Sequence, residues 1–294
     1  MPAVVHTKVG GEADPRRIVS ACGVGMPRLI YGTAWKKERT AELVACALRA
    51  GFRGIDTACQ PKHYHEPGVG AGMAAAFATG LSRADIYLQT KFTPFKGQDP
   101  DNLPYDPDAS LGAQVRQSFA ASRANLGTDY LDGFILHSPY PEDGDTLEVW
   151  RAMEELVDGG GVRQLGLSNC YEPRRLETIH RHARIKPALV QNRFYAKTGH
   201  DRDIRAFCRE NGMLYQSFWT LTANGEVLAD PALVEIAERR GRTPAQVFFR
   251  FLTQQDMVCL TGTASPEHMA QDLAIFDFRL DPAECDVVSA LLGG

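Results

Sequence analysis

No stretch of this sequence reaches the roughly 18 consecutive apolar residues that a membrane span needs. Its first residues, MPAVVHTKVGGEADPRR, also lack the basic start and apolar core of an export signal. A soluble cytoplasmic protein is the expectation. A basic stripe is missing too: 32 Lys and Arg against 36 Asp and Glu leave a net charge of −4, which argues against a nucleic-acid or membrane-surface partner. The cysteines (Cys22, Cys46, Cys59, Cys170, Cys208, Cys259 and Cys285) are odd in number, without CxxC spacing, and mostly within apolar segments. They read as reduced core thiols rather than a disulfide frame. An open doubly wound sheet would carry GxGxxG after its first strand, and none is present. The nearest imitation, GVGAG at 68–72, follows a loop and opens a helix.

What recurs is a short apolar run followed by an amphipathic stretch. RLIY (28–31) precedes TAELVACALRAG, where Leu43, Ala47 and Leu48 share a helical face between Thr40 as N-cap and Gly51 as terminator. FRGID, DIYLQTKF, LDGFILH, VRQLGLS, ALVQN, MLYQSF and MVCLTG read as further strands. Helices are expected at about 67–79, 110–125, 147–159, 174–182, 201–210, within 231–255, and at 281–292. Strands this short and apolar, each followed by an amphipathic helix, imply a parallel sheet covered on both faces. Eight such units in 294 residues close most economically into a (β/α)8 TIM barrel, one domain over residues 1–294. Residues 1–27 match no unit, although the apolar run 18–24 suits packing across one barrel end.

A barrel of this kind carries its chemistry where strands end and helices begin. Asp56 closes FRGID, Lys91 stands in LQTKF, His137 in FILHSP, and Tyr64 in the loop QPKHYHEP. A carbonyl that receives a hydride becomes an alkoxide, so its site needs a proton donor and groups that stabilise negative charge. Tyr64 is the proton donor. Tyrosine titrates near 10, and a cation within about 4–6 Å lowers that by about 1–3 units. Lys91 is that cation, Asp56 holds it, and a neutral His137 donates to the carbonyl oxygen. Taken singly, each residue has a plain structural alternative: a helix cap, a solvated lysine, a core histidine.

The set resembles the catalytic tetrad of the aldo-keto reductases, to which the resemblance assigns these same roles. GFRGIDTA, TKF, LGTDYLDGFILHSP, GVRQLGLSN and VQNRF follow that family's order and approximate spacing along most of the chain. One departure is plain. Tyr64 stands eight residues after Asp56 and two before Glu66, where the family's common pattern has about five and three. His63 and His65 flank it, and His-x-His after a barrel strand also begins some hydrolase metal sites. That leaves a metal-dependent hydrolase as an alternative, although no metal ligand set is assigned.

The resemblance implies a nicotinamide cofactor, NADPH by family habit with NADH open. Ser168, Asn169 and Gln191 match the family's carboxamide clamp; amides and hydroxyls suit it because they donate and accept without adding charge. Phe218 falls where the family stacks a tyrosine on the nicotinamide. Leu221, Thr222 and Asn224 lie in the loop that covers the pyrophosphate, and Thr33 is a further contact. Around the adenosine 2′-phosphate the family's lysine and arginine fall on Gly262 and His268. Thr261, Thr263 and the helix start at Ser265 and Pro266 are left as neutral donors, with Gln271 and Asp272 beyond. Trp35, Phe92, Phe95, Tyr140 and Trp219 are candidate walls of a substrate pocket, which is expected to be either open, the C-terminal tail being short, or closed by the 94–107 loop. The expected activity is carbonyl reduction of a small aldehyde or ketone by a monomer, the family's commoner form. The altered tyrosine loop and missing cations leave a cofactor-binding sensor of little turnover as another alternative.

Overall fold

The computed structural model describes residues 14–293. The chain enters through an antiparallel hairpin, β1 (Arg17–Val19) and β2 (Gly25–Pro27). Eight parallel strands follow: β3 (Leu29–Gly32), β4 (Gly54–Asp56), β5 (Tyr87–Phe92), β6 (Gly133–Leu136), β7 (Leu165–Ser168), β8 (Leu189–Arg193), β9 (Leu214–Phe218) and β10 (Val258–Thr261). They close into a barrel in sequence order, with β10 paired to β3. This is the (β/α)8 architecture that the alternation implies. Leaving no edge strand, closure pairs every backbone ladder internally.

The hairpin accounts for the apolar run at 18–24. Met26 is fully buried, and Ile18 and Val24 rest against Ile30, Tyr87, Ile135, Leu189 and Val258, which fill the end of the barrel where the strands begin. Residues 1–13 of the ambiguous N-terminal stretch lie outside the described residues.

Around the barrel run α1 (Thr40–Ala50), α2 (Glu66–Phe77), α3 (Leu111–Leu126), α4 (Asp143–Asp158), α5 (Pro173–His182), α6 (Arg202–Glu210), α7 (Gly225–Ala229), α8 (Pro231–Arg240), α9 (Pro244–Gln254), α10 (Pro266–Leu273) and α11 (Pro282–Leu291). The expected helix within 231–255 is two helices, because Gly241 turns left-handed at φ 60° and Thr243 and Gln246 form a capping box that restarts the chain. Thr40 is the first residue of α1 rather than its cap: a 3₁₀ turn over Lys37–Arg39 precedes it, and the Thr40 hydroxyl donates to Lys37 O. Helix α4 begins at Asp143, four residues earlier than its apolar spacing suggests.

Between barrel and helices lies the larger core, with Phe52, Phe134, Trp150, Phe194, Phe248 and Phe249 fully buried. Each such side chain contributes roughly 1.5–3 kcal/mol through burial. The glycines of GVGAG serve this packing. A Cβ at Gly70 would lie 2.3 Å from Asn125 O, and one at Gly72 2.7 Å from Ala41 O, so their absence lets α2 approach α3 and α1.

Candidate active site

Alternate strand residues face opposite sides, and in β5 this sends Tyr87, Gln89 and Lys91 into the barrel. Gln191 of β8 and Gln216 of β9 join them, all buried. Gln89 Nε2 donates to Asp56 Oδ1 (2.7 Å) and Gln216 Oε1 (2.8 Å), and Gln191 Nε2 donates to the same two acceptors at 2.9 Å each. Gln216 Nε2 returns a bond to Gln89 Oε1 (3.0 Å), and Tyr87 OH donates to that same oxygen at 2.9 Å. Each pairing matters, because a buried polar group left without a partner costs about 1–3 kcal/mol. Of this amide layer under Asp56, the motif reading names only Gln191, as a clamp residue, and passes over Gln89 and Gln216. Its signal was a polar residue at every second position of strands that are otherwise apolar, as in YLQTKF.

Asp56, the last residue of β4, receives Lys91 Nζ on both oxygens, at 2.8 and 2.7 Å, while Thr57 O takes a third bond at 2.8 Å. Burial pulls the Lys91 ammonium below its usual range against the opposing pull of Asp56. The Lys91 ammonium lies 5.2 Å from the centre of the Tyr64 ring. The expected lowering of the Tyr64 phenol does not follow from this geometry: burial first, then the Asp56 carboxylate, push it up. The physical reason is that the Lys91 charge is spent on Asp56. His137 sits beside Tyr64, ring centres 6.0 Å apart and edge to face. Burial, Lys91 and His63 hold the His137 pKa well below its usual value, so the ring is neutral. Its Nδ1 is 2.7 Å from the Thr93 hydroxyl, and with Thr93 donating, the other ring nitrogen keeps the proton.

Above this group opens a cavity of about 800 Å³, lined by Asp56, Tyr64 and His137 at one side and by the ends of β7 to β10 and of β3 at the other. Three lining residues, Trp35 (φ 64°), Asn169 (φ 53°) and Trp219 (φ 55°), have left-handed backbones, which non-glycine residues rarely adopt. Such conformations cost on the order of 1–3 kcal/mol and concentrate at functional sites.

A model of the aldo/keto reductase family matches residues 23–292. The chain belongs to the aldo/keto reductase family. It is 33% identical to an aldo-keto reductase of Mycolicibacterium smegmatis, covering 95% of this chain and 94% of that protein. Similar matches include the glyoxal reductase of Bacillus subtilis (29%, covering 92% and 90%) and the morphine 6-dehydrogenase of Pseudomonas putida (30%, covering 89% and 86%). Among solved structures, an aldo/keto reductase from Brucella melitensis superposes with a TM-score of 0.80 at 28% identity, over 94% of this chain and 98% of that one. Members of the family are oxidoreductases acting on carbonyl and alcohol groups, generally with NADPH, and this chain is one of them. Among the described residues, no helix is long and apolar enough to cross a membrane.

In this aldo-keto reductase the clamp candidates converge. Ser168, Asn169, Gln191 and Phe218 all line the cavity, and Asn169 Nδ2 donates to His137 O at 2.8 Å. Leu221, Thr222, Thr261, Gly262, Thr263, His268, Gln271 and Asp272 line it as well. Three cofactor candidates do not. Thr33 is fully buried, its hydroxyl donating to Asp56 O. Asn224 is buried, with Nδ2 on Phe194 O and Thr220 O and Oδ1 against His200 Nε2, so it braces the loop instead of facing a ligand. Ser265 caps α10, its hydroxyl accepting from His268 N.

Of the aromatic walls, Trp35 and Trp219 stand at the rim, 58% and 47% exposed. Phe92 is excluded because strand alternation turns it outward from Lys91, into the core against Tyr105. Tyr140 packs on the same core, and Phe95, half exposed on a 3₁₀ turn, is not among the lining residues. The two histidines around Tyr64 diverge. His63 lies against the Trp35 ring with Nδ1 on Gln60 Oε1, while His65 turns back towards Gly68 of α2. Among the described residues, no three His, Cys, Asp or Glu side chains come together as a metal site.

Sequence reasoning passed over two cavity cations. Lys36 reaches across from the loop after β3 and donates to Gly262 O; its Nζ is 3.7 Å from where a Cβ at Gly262 would be. Burial, then Arg39, lower the Lys36 pKa. Arg193 is the other, at the end of β8. Lys36 stands in no motif, and Arg193 stands inside VQNRF, where only Gln191 was read as a site residue.

Proposed function

We propose that this aldo-keto reductase reduces an aldehyde or ketone with NADPH, as a single barrel domain over residues 1–294, with Tyr64 as the proton donor. The observation that carries the reading is one cavity in which a protonated phenol and a neutral imidazole stand beside hydroxyl, amide and aromatic groups. Those groups fit a nicotinamide: Phe218 offers a face for stacking, and Ser168, Asn169 and Gln191 offer donors and acceptors without charge. When bound, the reduced nicotinamide supplies a hydride to the carbonyl carbon. The chain does the rest. His137 donates to the carbonyl oxygen and orients it, and Tyr64 gives that oxygen its proton as charge develops. The raised phenol pKa keeps Tyr64 in the donor form throughout neutral pH. Asp56 holds the Lys91 ammonium 5.2 Å from the centre of the Tyr64 ring.

At the far end of the cavity, Lys36, Thr263 and His268 offer donors to a phosphate. Lys36 replaces, from another loop, the cation that Gly262 lacks, which favours NADPH over NADH. Tyr64→Phe tests the reading. It should lower kcat for carbonyl reduction by about 100-fold or more while leaving NADPH binding, followed by fluorescence titration, within threefold. Full activity in the variant would assign the proton to another group.

A further inference from the structure

Arg193 lines the cavity on the strand next to Phe218, with which its Cα is in register. Its guanidinium lies 4.1 Å from the centre of the Trp219 ring and 5.3 Å from that of Tyr195. Among the described residues no carboxylate pairs with it. The two acids that line the cavity are engaged elsewhere, Asp56 with Lys91 and Asp272 with the Thr261 hydroxyl. Stacking on aromatic faces fixes the plane of an arginine and leaves its edge of N–H donors for a ligand. Trp219 keeps its ring there from a left-handed backbone, a conformation that pins the indole over Arg193.

Arg193 lines the cavity beside Phe218, the candidate stacking face for the nicotinamide, and its backbone is braced there. Arg193 N donates to Tyr171 OH (3.1 Å), Tyr171 OH to Asn169 Oδ1 (3.2 Å), and Asn169 Nδ2 to His137 O (2.8 Å). That chain runs from the backbone amide of Arg193 to the backbone oxygen of His137, and so holds the end of β8 against the end of β6. The other unpaired cation, Lys36, sits at the opposite end beside Gly262 and serves the cofactor phosphate. Planar guanidinium and planar carboxylate match as a fork with two parallel hydrogen bonds.

We propose that Arg193 recognises a carboxylate on the carbonyl substrate, so that the preferred substrates are acid-bearing aldehydes or ketones. This rests on the reductase reading and names its substrate class. Two measurements test it. The first compares kcat/KM for 4-carboxybenzaldehyde and its methyl ester, which differ in charge at one end only. The acid should be favoured by about 10- to 100-fold, the usual range for a hydrogen bond to a charged group. Arg193→Leu should abolish that ratio while changing the ester by less than threefold, and Arg193→Lys should restore part of it. The second is calorimetric titration with benzoate and benzamide, with and without NADP⁺, which needs no turnover. Benzoate should bind in preference to benzamide, and Arg193→Leu should remove the difference.

An unchanged acid-to-ester ratio in Arg193→Leu, or equal binding of benzoate and benzamide, overturns the proposal. So does a loss of NADPH and NADH affinity in Arg193→Leu, which would place the guanidinium on the cofactor's phosphates. A protein that binds benzoate through Arg193 but neither cofactor would instead defeat the reductase reading, and the two failures are thereby separate.

Discussion

Replacing Lys91 by methionine removes one buried charge and leaves the other. Lys91 and Asp56 are both almost fully buried, at 1% and 4% side-chain exposure, and Lys91 gives all three of its described hydrogen bonds to Asp56 and Thr57 O. In Lys91→Met the Asp56 carboxylate keeps only the amide donors of Gln89 and Gln191. Breaking a buried pair by removing one partner costs about 3–5 kcal/mol, because the remaining charge is uncompensated. Unfolding entropy near 2.1 cal/mol/K per residue, over 294 residues, gives about 0.6 kcal/mol/K, so Tm should fall by about 5–8 °C. The double variant Asp56→Asn/Lys91→Met removes both charges and leaves amides facing amides. It should recover to within about 2 °C of the native protein, since exchanging a buried ion pair for neutral groups is often close to neutral. Thermal unfolding followed by circular dichroism, with urea midpoints as a check, measures all three proteins. A loss below 1 °C in the single variant, or a double variant no more stable than the single one, would refute the account of Asp56 and Lys91 as a mutually dependent desolvated pair.

Lys36→Met should weaken NADPH binding by about 5- to 20-fold and NADH binding by less than threefold, in fluorescence titrations at fixed ionic strength; equal losses would move Lys36 to the pyrophosphate. Burial raises the carboxyl of Glu66, which takes hydrogen bonds from Thr90, Ser122 and Asn125. An acid whose pKa is higher folded than unfolded contributes stability below its ordinary 4.5 and loses it as pH rises towards the folded value. Glu66→Gln should therefore raise Tm at pH 8, with the gain shrinking as pH falls towards 4. Burial also raises Asp272, to about 6, so a new negative charge forms in the cofactor cavity as pH climbs through that value. Asp272→Asn should hold NADPH more tightly than the native protein at pH 7.5 and about equally at pH 5; a constant ratio across that range would show that Asp272 does not titrate near the cofactor.

The barrel was legible because each strand is a short run of residues buried on both faces and each helix is apolar on one, which leaves a pattern in the linear sequence. Boundaries were less legible where local chemistry overrode that pattern. Helix α4 starts at Asp143 because Glu142 O and the acids of its first turn suit a helix N-terminus, not because an apolar stripe begins there. The hairpin before β3 was legible as an apolar run but not as a pair of strands, since three residues a side are too few to alternate.

Asp56, Lys91, His137, Ser168, Asn169 and Gln191 were legible as site candidates because they stand at or beside strand ends, and a barrel gathers strand ends at one rim; Tyr64 reaches the same rim from the loop between β4 and α2. Residues in the loops had no such guarantee. Thr33, Asn224 and Ser265 carry the right chemistry at nearly the right place, yet each is turned to the backbone it stabilises. Phe92 fails for a simpler reason, strand parity: one residue beyond an inward Lys91, it must face outward. The same parity rule finds what the motifs missed. Applied to β5, β8 and β9 it places Gln89, Gln191 and Gln216 together beneath Asp56, and carried to the end of β8 it places Arg193 above Gln191 on the cavity side. Lys36 lies beyond such a rule, because its partner, the carbonyl of Gly262, comes from the opposite end of the sequence. Gly262 after β10 and Lys36 after β3 meet in space, and only the closure of β10 onto β3 makes that visible.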